Sequence, residues 1–350
     1  MKRILILLLF NLVLPRVALT GDDNTHLSNT NSDNREDKPG ASTEVIIIGG
    51  LHEFHRGNTN YTTKTLTEVI VGLKPTAILI ELPPTIGGKP TIEEHRVVSR
   101  LLSSPECGAV NAASEVLKVP LICYDRPGRN EFYQETHYFD RQKRAYEALQ
   151  VWQQTLTRTN PESVDLQVAQ VKSDAAGAQD WLTRRADPQV INSEGFDRII
   201  RIKHNIWYRV MPKLLKKYPD QQQLIEDYEF AGKEWAERNQ IMAENISAIA
   251  KQFGGRRLAV VTGCEHRYIL RDLLANQPEI VLKEFWEVSR PDSTTADDNN
   301  AYLARWARNH SRPADEYFLS LFGGQTTATP QPTTSTTNGG ISFRQGKDAQ

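Results

Sequence analysis

Two Gly-x-x-His tetrads constrain this chain more than any other feature. Gly49-Gly50-Leu51-His52 follows the β-branched run Val45-Ile46-Ile47-Ile48, and Gly263-Cys264-Glu265-His266 follows Leu258-Ala259-Val260-Val261. A helical pattern comes after each. Continuous apolar runs of this kind suit strands buried on both faces of a parallel sheet. Glycine at the exit allows the positive φ or close backbone approach that a strand-to-helix turn often requires. The chain is therefore expected to hold two strand–turn–helix units, each delivering a histidine at a strand's carboxyl end, where α/β proteins build their sites. A bipartite site assembled from both ends of the chain follows.

The rest of the sequence fits an α/β fold: a central, mostly parallel sheet flanked by helices, with a large all-α insertion. The first ordered block, residues 44–130, alternates strand and helix. Its strands are expected at Glu44 to Ile48, Ala77 to Leu82 and Val119 to Tyr124. Its helices are expected at Thr65 to Leu73, where Leu66, Val69, Ile70 and Leu73 share a face, and at Ile92 to Leu102. Residues 131–233 are polar, aromatic-studded and helical, notably Tyr138 to Thr155 and Gly195 to Lys217, and form a candidate lid over the sheet. Residues 234–322 return to the core. They comprise a helix from Trp235 to Phe253, the unit Arg257 to Ala275, a strand from Ile280 to Val288 and an amphipathic helix from Ala301 to Leu321.

Met1 to Thr20 has the pattern of a secretory signal: Lys2 and Arg3, an apolar stretch from Ile4 to Leu14, and small residues near Ala18. Secretion or a periplasmic location is expected, with no membrane span after cleavage. The polar stretch 21–43 and the Thr/Pro/Gln/Gly-rich stretch 323–350 are expected to be a disordered leader and tail. Lys plus Arg number 42 against 43 Asp plus Glu, so nothing in the charge balance argues for nucleic acid. Cys107, Cys123 and Cys264 do not make a disulfide framework; one Cys107–Cys123 pair with a free thiol and three separate thiols are both open. Cys264 lacks a local catalytic-cysteine signature and is expected to be a packed residue. Asn60, Asn245 and Asn309 begin glycosylation sequons.

Four residues are the main candidates for chemistry. His52 and His266 can share a metal or act as base and acid. Glu81 closes the apolar strand Ile78-Leu79-Ile80, where a carboxylate is costly to bury unless paired or metal-bound. Two histidines and a carboxylate form a common catalytic-metal set, so His52, Glu81 and His266 are expected either to hold a divalent metal or to activate water directly. Arg238 lies on the same helical stripe as Met242, Ile246, Ile249 and Phe253, facing inward, where it can fix Glu81 or stabilise an oxyanion. Secondary candidates are Gly49, Gly263, Glu53, His55, Asp125, Arg126 and Glu265. His52-Glu53-Phe54-His55 lacks the spacing of a zincin motif, and His55 is expected to flank the site or touch substrate.

In order along the chain, Ile48-Gly49-Gly50-Leu51-His52, Lys74-Pro75-Thr76-Ala77-Ile78-Leu79-Ile80-Glu81, the stretch Glu237-Arg238-Asn239-Gln240 to Ile246, and Gly263-Cys264-Glu265-His266-Arg267-Tyr268 resemble the TraB/Tiki superfamily. Its wider clan includes erythromycin esterase-like and haem-binding ChaN-like proteins. The matching pieces and their helices cover about a third of the chain. The resemblance implies an α/β core with a helical insertion and a shared cleft, with His52, Glu81, Arg238 and His266 at the site. Gly50 departs from the family, where small hydroxylated residues are common, and the insertion resembles no member. An exported hydrolase of an amide or ester bond in a peptide or small molecule is the leading expectation. A non-catalytic exported protein that binds a small ligand or haem is the alternative.

Overall fold

The computed structural model describes residues 41–84, 104–289, 299 and 301–305. The expected signal, leader, tail, Ile92–Leu102 helix, Asn309 sequon and most of the Ala301–Leu321 helix lie outside these residues. All the described residues belong to the unit Asp37–Gln350.

Five parallel strands form one sheet: β1 Thr43–Gly50, β2 Ala77–Ile80, β3 Leu121–Cys123, β4 Arg257–Gly263 and β5 Ile280–Lys283. Their order across the sheet is β3-β2-β4-β1-β5. Alternate residues go to opposite faces. Ile46, Ile48, Ile78, Ile80, Ala259 and Val261 enter one apolar core, while Val45, Ile47, Leu79, Leu258 and Val260 enter another. Both faces are covered, which is why the strand sequences show no polar alternation.

The strand order places the two tetrads side by side. From β1 the chain moves toward the β2–β3 edge; from β4 it crosses β1 to reach β5. Neighbouring strands whose continuations run in opposite directions leave a crevice at their carboxyl ends, the usual ligand position in open α/β sheets. Here that crevice lies between β1 and β4, whose terminal residues Gly50 and Gly263 are register partners.

Helix α1, Thr63–Leu73, is capped by the Thr62 side chain on the Thr65 N–H and buries Leu66, Ile70 and Leu73. Helix α2, Pro105–Leu117, was not expected from the sequence; its small buried residues Cys107, Ala109, Val110 and Ala113 give only a weak helical stripe. The insertion contains α3 Arg129–Glu135, α4 Tyr138–Thr159, α5 Val164–Thr183, α6 Pro188–Ile191 and α7 Glu194–Asn205. Helix α7 runs through a π turn, Ile206–Val210, into α8, Met211–Leu215. Helix α9, Gln222–Ala250, then returns to the sheet, followed by α10 Cys264–Leu274 and α11 Phe285–Ser289.

Two expected boundaries move. The insertion edge at residue 233 falls inside α9, because that helix changes partner without changing direction. Leu224, Ile225 and Tyr228 pack into the insertion core, whereas Met242, Ala243, Ile246 and Ile249 pack on the sheet. The last strand stops at Lys283 rather than Val288. Arg267 and Arg271 both bind Glu284, and the chain turns into α11 there. Among the described residues, no helix is long and apolar enough to cross a membrane.

Candidate functional site

The glycines of the tetrads make the site possible because each leaves room for a group from elsewhere. A Cβ on Gly263 would lie 2.4 Å from Nε2 of His52, so the imidazole of the first tetrad rests on the glycine of the second. A Cβ on Gly49 would lie 3.0 Å from Cα of Cys264, and one on Gly50 would lie 2.0 Å from Oε1 of Glu106. The Gly49 peptide is fixed from two sides: its N–H donates to Oδ1 of Asn192 in the insertion at 2.6 Å, and its carbonyl accepts at 3.0 Å from the hydroxyl of Tyr61, just before α1.

His52 opens a short 3₁₀ turn, His52–Arg56, with φ +50. That left-handed conformation is unusual for a side-chain-bearing residue and is held by its neighbours. Glu106, in the first turn of α2, grips it twice. One carboxylate oxygen accepts from the His52 N–H at 2.8 Å, and the other meets Nδ1 at 2.8 Å. The Glu106 carboxylate raises the His52 pKa to about 9. Burial works against charge on Glu106, but the attraction and hydrogen bonds of His52 prevail and lower its pKa. The His52 side chain is 60% exposed, with Nδ1 anchored by Glu106 and Nε2 seated over Gly263.

His266 has the opposite setting. It is buried, its Nδ1 lies 2.7 Å from Oδ1 of Asn239, and its Nε2 lies 3.1 Å from Nη1 of Arg238. A guanidinium can only donate, so Nε2 accepts and Nδ1 carries the proton. Burial lowers the His266 pKa to about 4 despite nearby Glu81. Trp235 stacks on the ring with centroids 4.4 Å apart.

Arg238 and Glu81 are joined, one of the roles that the helical stripe leaves open to Arg238. Nη2 of Arg238 lies 2.5 Å from Oε1 of Glu81. Asp125, just beyond β3, receives Nε at 2.9 Å and Nη2 at 2.8 Å, and is also paired with Arg129. The second oxygen of Glu81 accepts from the Thr262 hydroxyl and the Gly263 N–H, each at 2.7 Å. Burial opposes charge on Glu81, but His266, Arg238 and that N–H hold its pKa well below the ordinary value. Of the five N–H bonds of Arg238, one on Nη1 has no partner among the described residues.

The His52, Glu81 and His266 trio does not fit a bound metal. Among the described residues no three His, Cys, Asp or Glu side chains form a ligand group. A guanidinium faces the His266 lone pair, and both Glu81 oxygens are filled by donors.

The secondary candidates divide. Asp125 belongs to the site through Arg238. Arg126 pairs with Glu234 and lies 4.2 Å over the Phe132 ring. Glu265 is an anchor for the insertion, taking Lys203 Nζ at 2.7 Å, His204 Nε2 at 3.1 Å and Gln179 Nε2 at 2.6 Å. Glu53 makes a local ion pair with Arg56. His55 is buried beside the site rather than open to a substrate. Its Nε2 accepts from the Leu51 N–H at 2.9 Å and its Nδ1 donates to the Tyr61 carbonyl at 2.7 Å, holding the turn that carries His52. The three cysteines are buried free thiols, and burial raises Cys264 well above its ordinary value, as suits a packed residue. The Asn245 side chain donates to the Tyr124 carbonyl at 2.9 Å, which disfavours modification of that sequon.

Glu106 was not among the sequence candidates. The available signal was Ser104-Pro105-Glu106: a helix-starting residue, proline at the first helical position and an acid in the first turn. Comparison with family models, characterised proteins and solved structures finds no match.

Proposed function

We propose that this chain is a hydrolase of the TraB/Tiki type acting on an ester or amide bond, with His52 as its proton-transfer group. One observation carries the reading. A largely exposed imidazole stands at the β1–β4 crevice with its Nδ1 bound by a buried carboxylate and its Nε2 free of side-chain partners among the described residues. That is the orienting relation between carboxylate and histidine in acid–base catalysis. In the proposed reaction, Nε2 of His52 takes a proton from water as the water oxygen bonds to the carbonyl carbon. The carbonyl electron pair moves onto oxygen, where the uncommitted N–H of Arg238 stabilises it. The tetrahedral carbon then expels the alcohol or amine, which receives the proton from Nε2. Glu106 orients the ring, and Glu81 and Asp125 hold Arg238 in place. No step requires a metal. Export is part of the same proposal and rests on the Met1 to Thr20 pattern alone.

Purified protein should hydrolyse members of a panel of aryl esters and peptides, with no loss after chelation. His52→Ala should reduce the rate by about 10²–10⁴-fold. Absence of turnover on the whole panel, or turnover indifferent to His52, would overturn the proposal. A retained ligand or haem without turnover would favour the binding alternative.

A further inference from the structure

We propose that a groove on the insertion, distinct from the β1–β4 crevice, binds a single-chain amphiphile with an anionic head group, either carboxylate or phosphate. The groove has a volume of about 490 Å³, within the range of roughly 300–1,000 Å³ common for small-ligand sites. It is formed by Asp165 and Val168 of α5, Asn205, the end of the π turn, Lys213 and Leu214 of α8, and Lys217 beyond it. Val168, Val210 and Leu214 give it an apolar floor, and Arg209 and Lys213 are exposed at its edge.

The charge balance favours an anion. Neither Arg209 nor Lys213 has a carboxylate partner among the described residues. The groove's one acid, Asp165, is already committed: Lys217 Nζ lies 2.8 Å from one oxygen, and the Tyr218 hydroxyl lies 2.9 Å from the other. Burial acts to raise the Asp165 pKa, but those two hydrogen bonds lower it, so it stays charged and neutralises Lys217. Two cations remain beside an apolar floor, which suits a head group with a hydrocarbon chain.

The backbone gives an independent indication. Arg209 and Val210 belong to the π turn, a widened helical turn that recurs at functional sites. Helix α9 accommodates it with a glycine: a Cβ on Gly232 would lie 3.1 Å from the Tyr208 carbonyl oxygen. The chain thus keeps the wide turn where an ordinary side chain on α9 would press against it.

The test is calorimetric titration of the purified protein with decanoate and with decyl phosphate, each below its micelle concentration. Decyltrimethylammonium, inorganic phosphate and an oligoglutamate peptide serve as comparisons. Saturable binding of decanoate, decyl phosphate or both is expected, and which of them binds identifies the head group. Arg209→Ala combined with Lys213→Ala should weaken it about tenfold or more, while leaving the fold intact because both side chains are exposed. Four results would overturn the proposal: no saturable binding of either amphiphile, equal binding of the cationic one, undiminished binding by the double variant, or tighter binding of inorganic phosphate or oligoglutamate. Self-association through this face, seen as a concentration-dependent mass lost in the double variant, would also overturn it by making a second copy the occupant.

Discussion

The two tetrads have the same pattern and opposite histidines. His52 is exposed, backed by a carboxylate and inclined to keep its proton; His266 is buried, faced by a guanidinium and inclined to stay neutral. The difference comes from what each strand end meets. The first tetrad meets the first turn of α2, which supplies Glu106. The second meets the middle of α9, which supplies Arg238, Asn239 and Trp235. A repeated motif therefore fixes position at the crevice, and the partner helix decides ionisation. We assign proton transfer to the first histidine and positioning to the second.

The largest separation between them should come from paired substitutions. His52→Ala should cost about 10²–10⁴-fold in hydrolysis with little change in thermal midpoint. His266→Ala should instead destabilise the fold by about 1–3 kcal/mol for each buried group left unsatisfied, read by denaturant melts. Equal behaviour in both assays would break the comparison. Arg238→Met probes the second setting more harshly. Removing it strands Asp125 and Glu81 as buried charges, and a loss of about 3–5 kcal/mol is expected.

Glu106→Gln sharpens the first setting. Without the carboxylate, the His52 pKa should fall from about 9 toward its ordinary 6.5, read by NMR titration. The rate of wild-type hydrolysis should rise with pH and level off near 9, because His52 must lose its proton to act as base; in Glu106→Gln the rise should come at lower pH. The same linkage affects stability. The raised His52 pKa contributes stability that is fully present below its ordinary value and lost as pH rises through about 9. His266 behaves differently: its depressed pKa makes stability fall as pH drops from about 6.5 toward 4.

Gly263→Ala should push the His52 ring from its seat, lowering kcat while leaving Glu106 in place. The smallest effect is expected from Glu53→Ala, within about 0.5 kcal/mol, since its ion pair with Arg56 is a surface one.

Much of this arrangement was readable because it lies in short stretches of strong pattern. The tetrads, the β-branched runs before them, Glu81 at a strand end and Arg238 on an apolar helix stripe all led to the same sheet edge. The helical insertion was visible in its periodicity. Glu106 was not visible, because α2 is built of small residues and its partnership with His52 depends on tertiary contact. Asn192 was hidden for the same reason: it reaches the Gly49 peptide from far along the chain. The expected metal set shows the reverse problem. Histidines and a carboxylate do gather at the crevice, but Arg238 stands among them and donates to His266 Nε2 and Glu81 Oε1. Residue type and strand-end position could not reveal which neighbour would claim each lone pair.

The central claim is that two like motifs hold one cationic and one neutral histidine. It is tested most directly by NMR titration of the imidazoles, with His52→Ala and His266→Ala used to assign the signals. The account predicts that His52 stays protonated through pH 8 and titrates near 9, while His266 stays neutral until the pH approaches 4. Two histidines that titrate together near 6.5, or in the reverse order, would contradict it.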